Sequence, residues 1–513
     1  MNSNHAISSH ALVWFRHDLR IDDNQSLVAA CQYAAEHQGV VRAIFVVTPK
    51  QWASHDVAPI QLDFIERQVN QLAIELAQLG IPLDICHADD FDAIPEVLLH
   101  YVNTWQMTKV FATSEPECNE QHRDKAVIEA GIELELSQQH CFLPPLSVLN
   151  LSGEMYKVFT PFAKKWRQIA KQDPIQTLTR PKPIAAPLPT PNYVEFNCTK
   201  ICSGQWLVGE HAAQAKLRQF ALDKVADYQA SRDYPAIDGT SQLSAYLAIG
   251  ILSPRQCLQV LLSHYPDALV HDESFGRCWL NELIWREFYR HLLVAFPKLS
   301  RRANFNALAD NIKWRNNPRE FQAWCEGRTG YPLVDAAMRQ LNQTGWMHNR
   351  LRMVTASFLT KHLLVDWRWG ERYFRQKLID GDLAANNGGW QWSAGTGCDA
   401  QPYFRVFNPI SQCEKFDPTG AFIRNYLPEL DEVDLKLIHK LKIPTQAQLF
   451  VDTDYASPIV DHKFARTRAI AVLSAMKKGS ANVQQAKAQQ VRVQQAQEID
   501  RISRVDLDKE IFG

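Results

Sequence analysis

The stretch Leu378-Ile-Asp-Gly-Asp-Leu-Ala-Ala-Asn-Asn-Gly-Gly-Trp-Gln-Trp392, running on to Gln401-Pro-Tyr-Phe-Arg-Val-Phe-Asn-Pro409, concentrates an unusual mixture of side chains. Between Asp380 and Trp392 stand two acids (Asp380, Asp382), two adjacent amides (Asn386, Asn387), three glycines (Gly381, Gly388, Gly389) and two tryptophans. The mixture suits neither a plain helix nor a plain strand. Glycine lets backbone approach a ligand, amides offer both donor and acceptor, and tryptophan offers a flat polarizable face. Two readings stand open from these residues alone, a ligand cradle and a Gly-rich loop whose tryptophans belong to the core.

Upstream of this stretch, nine of the fourteen tryptophans lie between Trp279 and Trp392, several beside Arg, Asn or Glu. From residue 339 to 377 eight basic residues face only Asp366 and Glu371. Cations interleaved with rings fit a nucleic-acid surface, because the cations neutralise phosphates while the rings stack on exposed bases; a solvated helix face is the alternative. The whole chain carries a formal charge of -1, so bulk charge cannot attract a polyanion and any such surface must be local.

The first part of the chain has a different texture. Short apolar runs at 11–15, 41–47, 83–87, 109–113 and 132–136 alternate with amphipathic stretches, among them 60–79, which ends at Gly80. That alternation predicts a parallel α/β domain over 11–140. No GxGxxG loop supports a dinucleotide site there. Asn119 and Glu120 follow a strand end, where open α/β sheets bind ligands, although such residues also simply begin helices.

Prolines gather in 141–205, as in Pro187-Leu-Pro-Thr-Pro191. This predicts a connector with one helix near 160–171, a flexible tether being the other reading. Residues 206–478 read as mainly helical. The segment 479–513, rich in Gln and Ala, predicts a loose helix or disorder. The 513 residues suffice for two or three domains. The eleven cysteines contain no CxxC pair, and the Cys198/Cys202 spacing is too weak a signal for a metal site, so reduced thiols and no metal are expected. With no leader-like start and no membrane-length apolar run, a cytoplasmic protein without membrane contact is expected.

Read together, Trp279-Leu-Asn-Glu-Leu-Ile-Trp-Arg-Glu-Phe-Tyr-Arg290, Gly345-Trp-Met-His-Asn-Arg-Leu-Arg-Met353, Leu12-Val-Trp-Phe-Arg-His-Asp-Leu-Arg20 and the opening stretch resemble the photolyase and cryptochrome family. The resemblance is closest to class I cyclobutane pyrimidine dimer photolyases of the folate-antenna bacterial type. It covers the chain from Leu12 to about 478 and leaves out the tail.

This resemblance implies an α/β antenna domain with a Rossmann-like parallel sheet, a long connector and an all-helical domain that holds FAD folded on itself. For the FAD it implies Tyr228, Thr240, Ser241, Gln242, Leu243 and Ser244 at the phosphates, together with Trp279, Arg286, Asn349, Arg352, Asp380, Gly381 and Asp382. Arg352 matches the arginine that pairs with the first acid. Asn386 matches the residue facing flavin N5, where an amide favours repair over signalling. Trp390, Trp367 and Trp314 match a chain that carries electrons from the surface to the flavin.

The resemblance further implies a lesion pocket of Glu282, Trp285, Asn349, Arg350, Met353 and Trp392. Glu282 would stabilise the dimer radical anion in a shielded site. Photolyases extrude the damaged bases from the duplex, as base-flipping enzymes do. Relatives acting on the (6-4) photoproduct carry histidines where Asn349 and Met353 stand, for proton transfer, and DASH-type cryptochromes generally carry Gln at the second position. Both comparisons favour the cyclobutane dimer. Asn119 and Glu120 match the site of a 5,10-methenyltetrahydrofolate antenna. Gln242, in place of a frequent Arg, and Ser300 and Arg301, in place of Cys and Lys, depart from close relatives. A monomer acting on damaged DNA is implied, with a light-signalling photoreceptor as the competing class.

Overall fold

In the computed structural model, residues 9–172, 175–402, 404–443 and 455–474 are described. The expected tail, 479–513, lies outside the described residues, as does the end of the predicted helical region.

The first part of the chain builds a five-stranded parallel sheet in the order β3-β2-β1-β4-β5. The strands are β1 (His10–Phe15), β2 (Val41–Val47), β3 (Leu83–His87), β4 (Met107–Thr113) and β5 (Leu134–Ser137). β1 is central and nearly fully buried, which is why its sequence is a continuous apolar run rather than an alternation. Ala11 pairs with Val41 on one side and Lys109 on the other. The order reverses between β2 and β4 around β1, so the crevice at the carboxyl end of β1 is the topological switch point. All five strands fall where the sequence places them, with ends moved by up to two residues. The predicted helix at 60–79 is Pro59–Ala77, started by its N-terminal proline.

Among the described residues from 210 onward, the second part is built of helices joined by loops, with no strand. Three of its elements position the candidate site, Arg277–Ala295, Trp367–Lys377 and Leu383–Ala394. The last corrects an expectation, because the Gly- and Asn-rich stretch is a twelve-residue helix. Asp382 caps it by accepting from the Ala385 N–H at 2.9 Å, and Gly395 ends it at φ 82°. Interior glycine costs helix stability, but a Cβ on Gly388 would stand 2.2 Å from the ring of Tyr289, so close packing on helix Arg277–Ala295 requires it.

The connector is not a flexible tether. Among its described residues the one helix is Phe159–Ala170, and its proline-rich segment is pinned along helix Pro59–Ala77. Ile184 and Leu188 donate backbone N–H bonds to the Leu79 and Ala77 carbonyls at 3.1 and 2.8 Å, and the Val194 N–H reaches Asn70 Oδ1 at 2.7 Å.

The two parts share one continuous hydrophobic core, reaching from Val13 and Phe45 to Trp279 and Phe288. The junction is the loop after β1. Leu19 donates its N–H to the Ile249 carbonyl at 3.2 Å, and the buried Arg20 guanidinium reaches the Gly250 carbonyl at 3.0 Å. Gly250 has φ 75°, and a Cβ there would lie 2.1 Å from the His17 carbonyl oxygen. On the far side Glu287 accepts from the Trp166 indole at 2.6 Å and the Leu143 N–H at 3.3 Å.

Candidate functional site

Where the helical part meets the carboxyl ends of the strands, a cavity of about 320 Å³ opens. Asn119 and Glu120, in the first turn of helix Cys118–Glu129, line it from the sheet side. Gly381, Asp382 and Asn386 line it from the helical side, with Ser300 and Arg301 between. Residues the sequence assigns to two different ligands therefore share one cavity wall. Its volume lies at the low end for ligand sites. Asn119 Nδ2 and His55 Nε2 are 2.8 Å apart, and His55 Nδ1 lies 3.8 Å from Glu120. Burial raises the Glu120 carboxyl, and beneath it burial and the neighbouring Glu120 charge raise Glu117 to about 8.

The acids of the Asp380–Asp382 stretch are each given a cation. Arg352 donates to Asp380 Oδ2 at 2.7 Å, and its Nε holds the Met347 carbonyl at 2.8 Å. Asp382 pairs with Arg290, which sequence reasoning passed over. Burial alone would raise Asp382, but Arg290 and then Arg286 outweigh it and bring the carboxyl down to about 2. Arg290 lies four residues after Arg286, one helical turn along the quoted motif, and that spacing was the available signal.

The adjacent amides have separate tasks. Asn386 Nδ2 donates to the Glu371 carbonyl at 2.9 Å, and Asn387 Nδ2 donates to the Glu371 carboxylate at 2.8 Å. Both amide planes are thereby fixed against helix Trp367–Lys377. Burial lifts Glu371 to about 7, with the Asn387 bond opposing.

Other expected cofactor residues sit on neighbouring elements. Tyr228 is buried with its ring edge-on to Phe220 at 5.7 Å, and Phe220 is edge-on to Trp279 at 5.0 Å. In the segment Thr240–Ser244, Leu243 is buried, Ser241 Oγ accepts from the Leu243 N–H at 3.3 Å, and Gln242 takes φ 50°. The helix after it, Ser244–Ala248, has only five residues, so hydroxyls and backbone N–H groups rather than a long helix dipole are what it offers. Arg286 is spent on the His140 and Leu247 carbonyls, at 2.6 and 3.3 Å.

A second group gathers around Glu282. Arg232 donates to Glu282 Oε1 at 2.5 Å and lies 3.9 Å from Asp233, which in turn accepts from Arg350 at 2.6 Å. Arg350 Nη1 reaches Met353 Sδ at 3.7 Å. A chain of charges thus joins the helix bearing Glu282 to the helix Asn349–Ser357, which begins with Asn349 behind its His348 cap. Arg232 and Asp233 carry no motif and were not anticipated. Trp285 stacks on Phe159 at 3.7 Å with planes 5° apart, and Trp392 is half-buried at the end of its helix.

Trp390, Trp367 and Trp314 pack in one hydrophobic cluster, the first two deeply buried and Trp314 partly so. Trp367 donates its indole N–H to Asn304 at 2.9 Å. A Cβ on Gly370 would come within 2.1 Å of the Trp390 ring, so this glycine lets the indole rest on the backbone of helix Trp367–Lys377.

The basic surplus at 339–377 has an internal use. Arg339 pairs with Glu429, Arg350 with Asp233, Arg352 with Asp380, Arg368 with Asp366 and Arg372 with Asp56. Arg375 donates to Gln61 and the Gly381 carbonyl, and Lys361 is buried against Gln401. Most of that charge is compensated within the fold, and residues from distant parts of the sequence supply the acids.

The residues fit FAD. Asp380 is 6% exposed, its Oδ2 is taken by Arg352 and its Oδ1 is buried without a partner, an acceptor awaiting the hydroxyl or amide of a ligand.

Comparison with known proteins agrees. Residues 11–187 match the family described as DNA photolyase, and residues 279–475 match the FAD binding domain of DNA photolyase. Deoxyribodipyrimidine photo-lyase of Escherichia coli (strain K12) is 48% identical over 473 residues, covering 91% of this chain and 99% of the relative. The protein of that name from Vibrio cholerae is 47% identical, over 89% of this chain and 97% of its own length. The crystal structure of a bacterial class III photolyase from Agrobacterium tumefaciens superposes with a TM-score of 0.79 at 35% identity, covering 93% of this chain and all of that one. On fold, residues and relatives together, this chain belongs to the DNA photolyase family and carries that family's FAD-binding domain in its helical part.

Proposed function

We propose that this protein repairs cyclobutane pyrimidine dimers in DNA under light. The observation that carries the reading is the charge chain from Glu282 through Arg232 and Asp233 to Arg350. It ties the helix that carries the Glu282 carboxylate and Trp285 to the Asn349–Met353 helix turn, and relatives 47–48% identical bear the name deoxyribodipyrimidine photo-lyase.

In this reading, reduced FAD, when bound and lit, supplies the electron that opens the cyclobutane ring, and the electron returns with no net redox change. The protein's part is to bind, orient and exclude water. Arg352, Asp380 and Asp382 hold the cofactor, with Tyr228, Thr240–Ser244, Trp279 and Arg286 around it. Asn386, its amide plane fixed on Glu371, sets the polarity beside N5. Glu282 hydrogen-bonds the pyrimidine carbonyl edge and steadies the charge that develops there. Trp285 and Trp392 form the apolar walls against which the extruded dimer rests, and Asn349, Arg350 and Met353 complete the pocket.

Residues 11–140 serve as the antenna domain, 141–205 as connector and 206–478 as the catalytic domain. A 5,10-methenyltetrahydrofolate bound at Asn119 and Glu120, with Ser300 and Arg301 opposite, harvests light for it. The enzyme acts as a cytoplasmic monomer, and among the described residues no helix is long and apolar enough to cross a membrane.

Lesion preference tests the reading. Neither Asn349 nor Met353 can shuttle a proton, so under blue light duplexes holding a cyclobutane dimer are restored and duplexes holding a (6-4) photoproduct are not. Equal repair of both would overturn the assignment.

A further inference from the structure

The connector brings an aromatic ring to the wall of the proposed lesion pocket. Phe159, the first residue of helix Phe159–Ala170, lies face to face with Trp285, ring centroids 3.7 Å apart and planes 5° from parallel. The buried Phe288 meets both rings edge-on, at 5.9 Å and 76° from Phe159 and at 5.6 Å and 80° from Trp285. Tyr289 packs on Trp285 at 5.5 Å, and Gly388 leaves it room against helix Leu383–Ala394. The Trp285 indole is therefore held both by its own helix and by the connector.

Aromatic pairs left to themselves prefer an offset stack or an edge-to-face contact. Rings this nearly superposed are set by their backbones, and Phe159 has the contacts to do so. Its N–H, one of those a helix start leaves without an internal partner, donates to Asp399 Oδ2 at 3.0 Å. The Cys398 thiol donates to the Lys157 carbonyl at 3.0 Å. Asp399 has φ 48°, a left-handed conformation that aspartate tolerates better than most residues. The same segment closes back on Trp392, whose carbonyl accepts from the Gln401 N–H at 3.2 Å. Phe159 and Trp392 are thus tied to one short stretch, 398–401, although more than two hundred residues of chain lie between them.

We propose that Phe159 is a positioning residue for lesion recognition, covering one face of Trp285 and fixing the plane of that indole relative to Trp392. The proposal rests on the reading of Trp285 as a wall of the lesion pocket. An indole free to turn would have to be ordered by each incoming dimer, and that ordering would weaken binding. The connector ring orders it in advance. Bases of an undamaged duplex stay stacked and do not enter the pocket, so they gain nothing from the arrangement. Phe159 therefore acts on the discrimination between damaged and undamaged DNA. It does not act on ring splitting, because Glu282 and the residues assigned to FAD lie outside the stack.

The full-length protein loaded with FAD tests this on duplexes carrying one thymine dimer and on the same duplexes without it. Phe159→Leu is expected to weaken binding of the dimer-bearing duplex about two- to tenfold, the usual strength of an aromatic pair. Affinity for the undamaged duplex and splitting yield at saturating DNA stay as in the parent, and Phe159→Tyr restores most of the discrimination. Trp285→Ala also loses discrimination, and adding Phe159→Leu to it brings no further loss, since Phe159 acts through Trp285. Bound FAD and melting temperature are read for every variant. Should Phe159→Leu lose FAD or melt early, Asp399→Ala decides instead, because it removes the acceptor of the Phe159 N–H and keeps both rings; its discrimination is expected to fall. An unchanged discrimination ratio in the deciding variant, equal losses on both duplexes, a Phe159→Tyr protein no better than Phe159→Leu, or a full second loss in the Trp285→Ala background overturns the proposal. Discrimination untouched by Trp285→Ala overturns instead the lesion-pocket reading, which the other outcomes do not.

Discussion

Arg232 holds Glu282 at 2.5 Å, and the same arginine lies 3.9 Å from Asp233, the partner of Arg350. Glu282 is thereby held in place before any DNA arrives. Replacing it tests whether it serves chemistry or binding. Glu282→Ala is expected to lower the splitting yield on the order of tenfold or more while DNA affinity changes little. Single-turnover repair and gel-shift titration measure the two, and equal losses would count against the proposed role.

Asp382 makes a pH-dependent contribution to stability. Its folded value of about 2 lies below the ordinary 3.8, so the folded state binds fewer protons there. The contribution is fully present above about pH 4 and is lost as pH falls toward 2, and it amounts to about 2 kcal/mol. Urea midpoints at pH 5 and pH 3 should therefore differ more for the parent protein than for Asp382→Asn. An identical pH dependence would show that the Arg290 pair contributes nothing of this kind.

Removing Arg290 leaves the Asp382 carboxylate buried without its main partner. Arg290→Ala is expected to cost about 3–5 kcal/mol and to lower FAD content on purification. Denaturant unfolding and the flavin absorption ratio check this, and near-parental values of both would contradict the assignment.

Gly370 is packed against the Trp390 ring. Gly370→Ala must displace one or the other and is expected to cost about 1–3 kcal/mol and to slow flavin photoreduction. Thermal melts and steady illumination would reveal it, and an unchanged rate would mean that the position of Trp390 is not critical.

The antenna reading makes its own prediction. Glu120→Ala should remove the near-ultraviolet folate band while flavin-driven repair under blue light persists. A folate band that survives the change would move the antenna away from this cavity.

Much of the fold was legible because local physics fixes it. The apolar runs of β1 and β2 are what a doubly covered parallel sheet needs, and the proline and spacing of Pro59–Ala77 declare a helix. The Asp380–Arg352 pair was legible only through family resemblance, since 28 residues separate its members. Three features escaped notice for definite reasons. The 383–394 helix was hidden by its paired glycines, of which Gly388 packs on Tyr289, a contact invisible in the sequence. The positive surplus at 339–377 looked free because its acids, such as Asp56, Asp233 and Glu429, are distant in sequence. Arg232 and Asp233 lie in no motif, and their role exists only once two helices are brought together.

Repair of a defined thymine dimer tests the central claim most directly. With FAD bound and reduced, the purified protein should restore both thymines in a duplex under blue light and leave the dimer untouched in the dark. Dimers that persist under light, with bound FAD fully reduced and the DNA bound, would contradict the account.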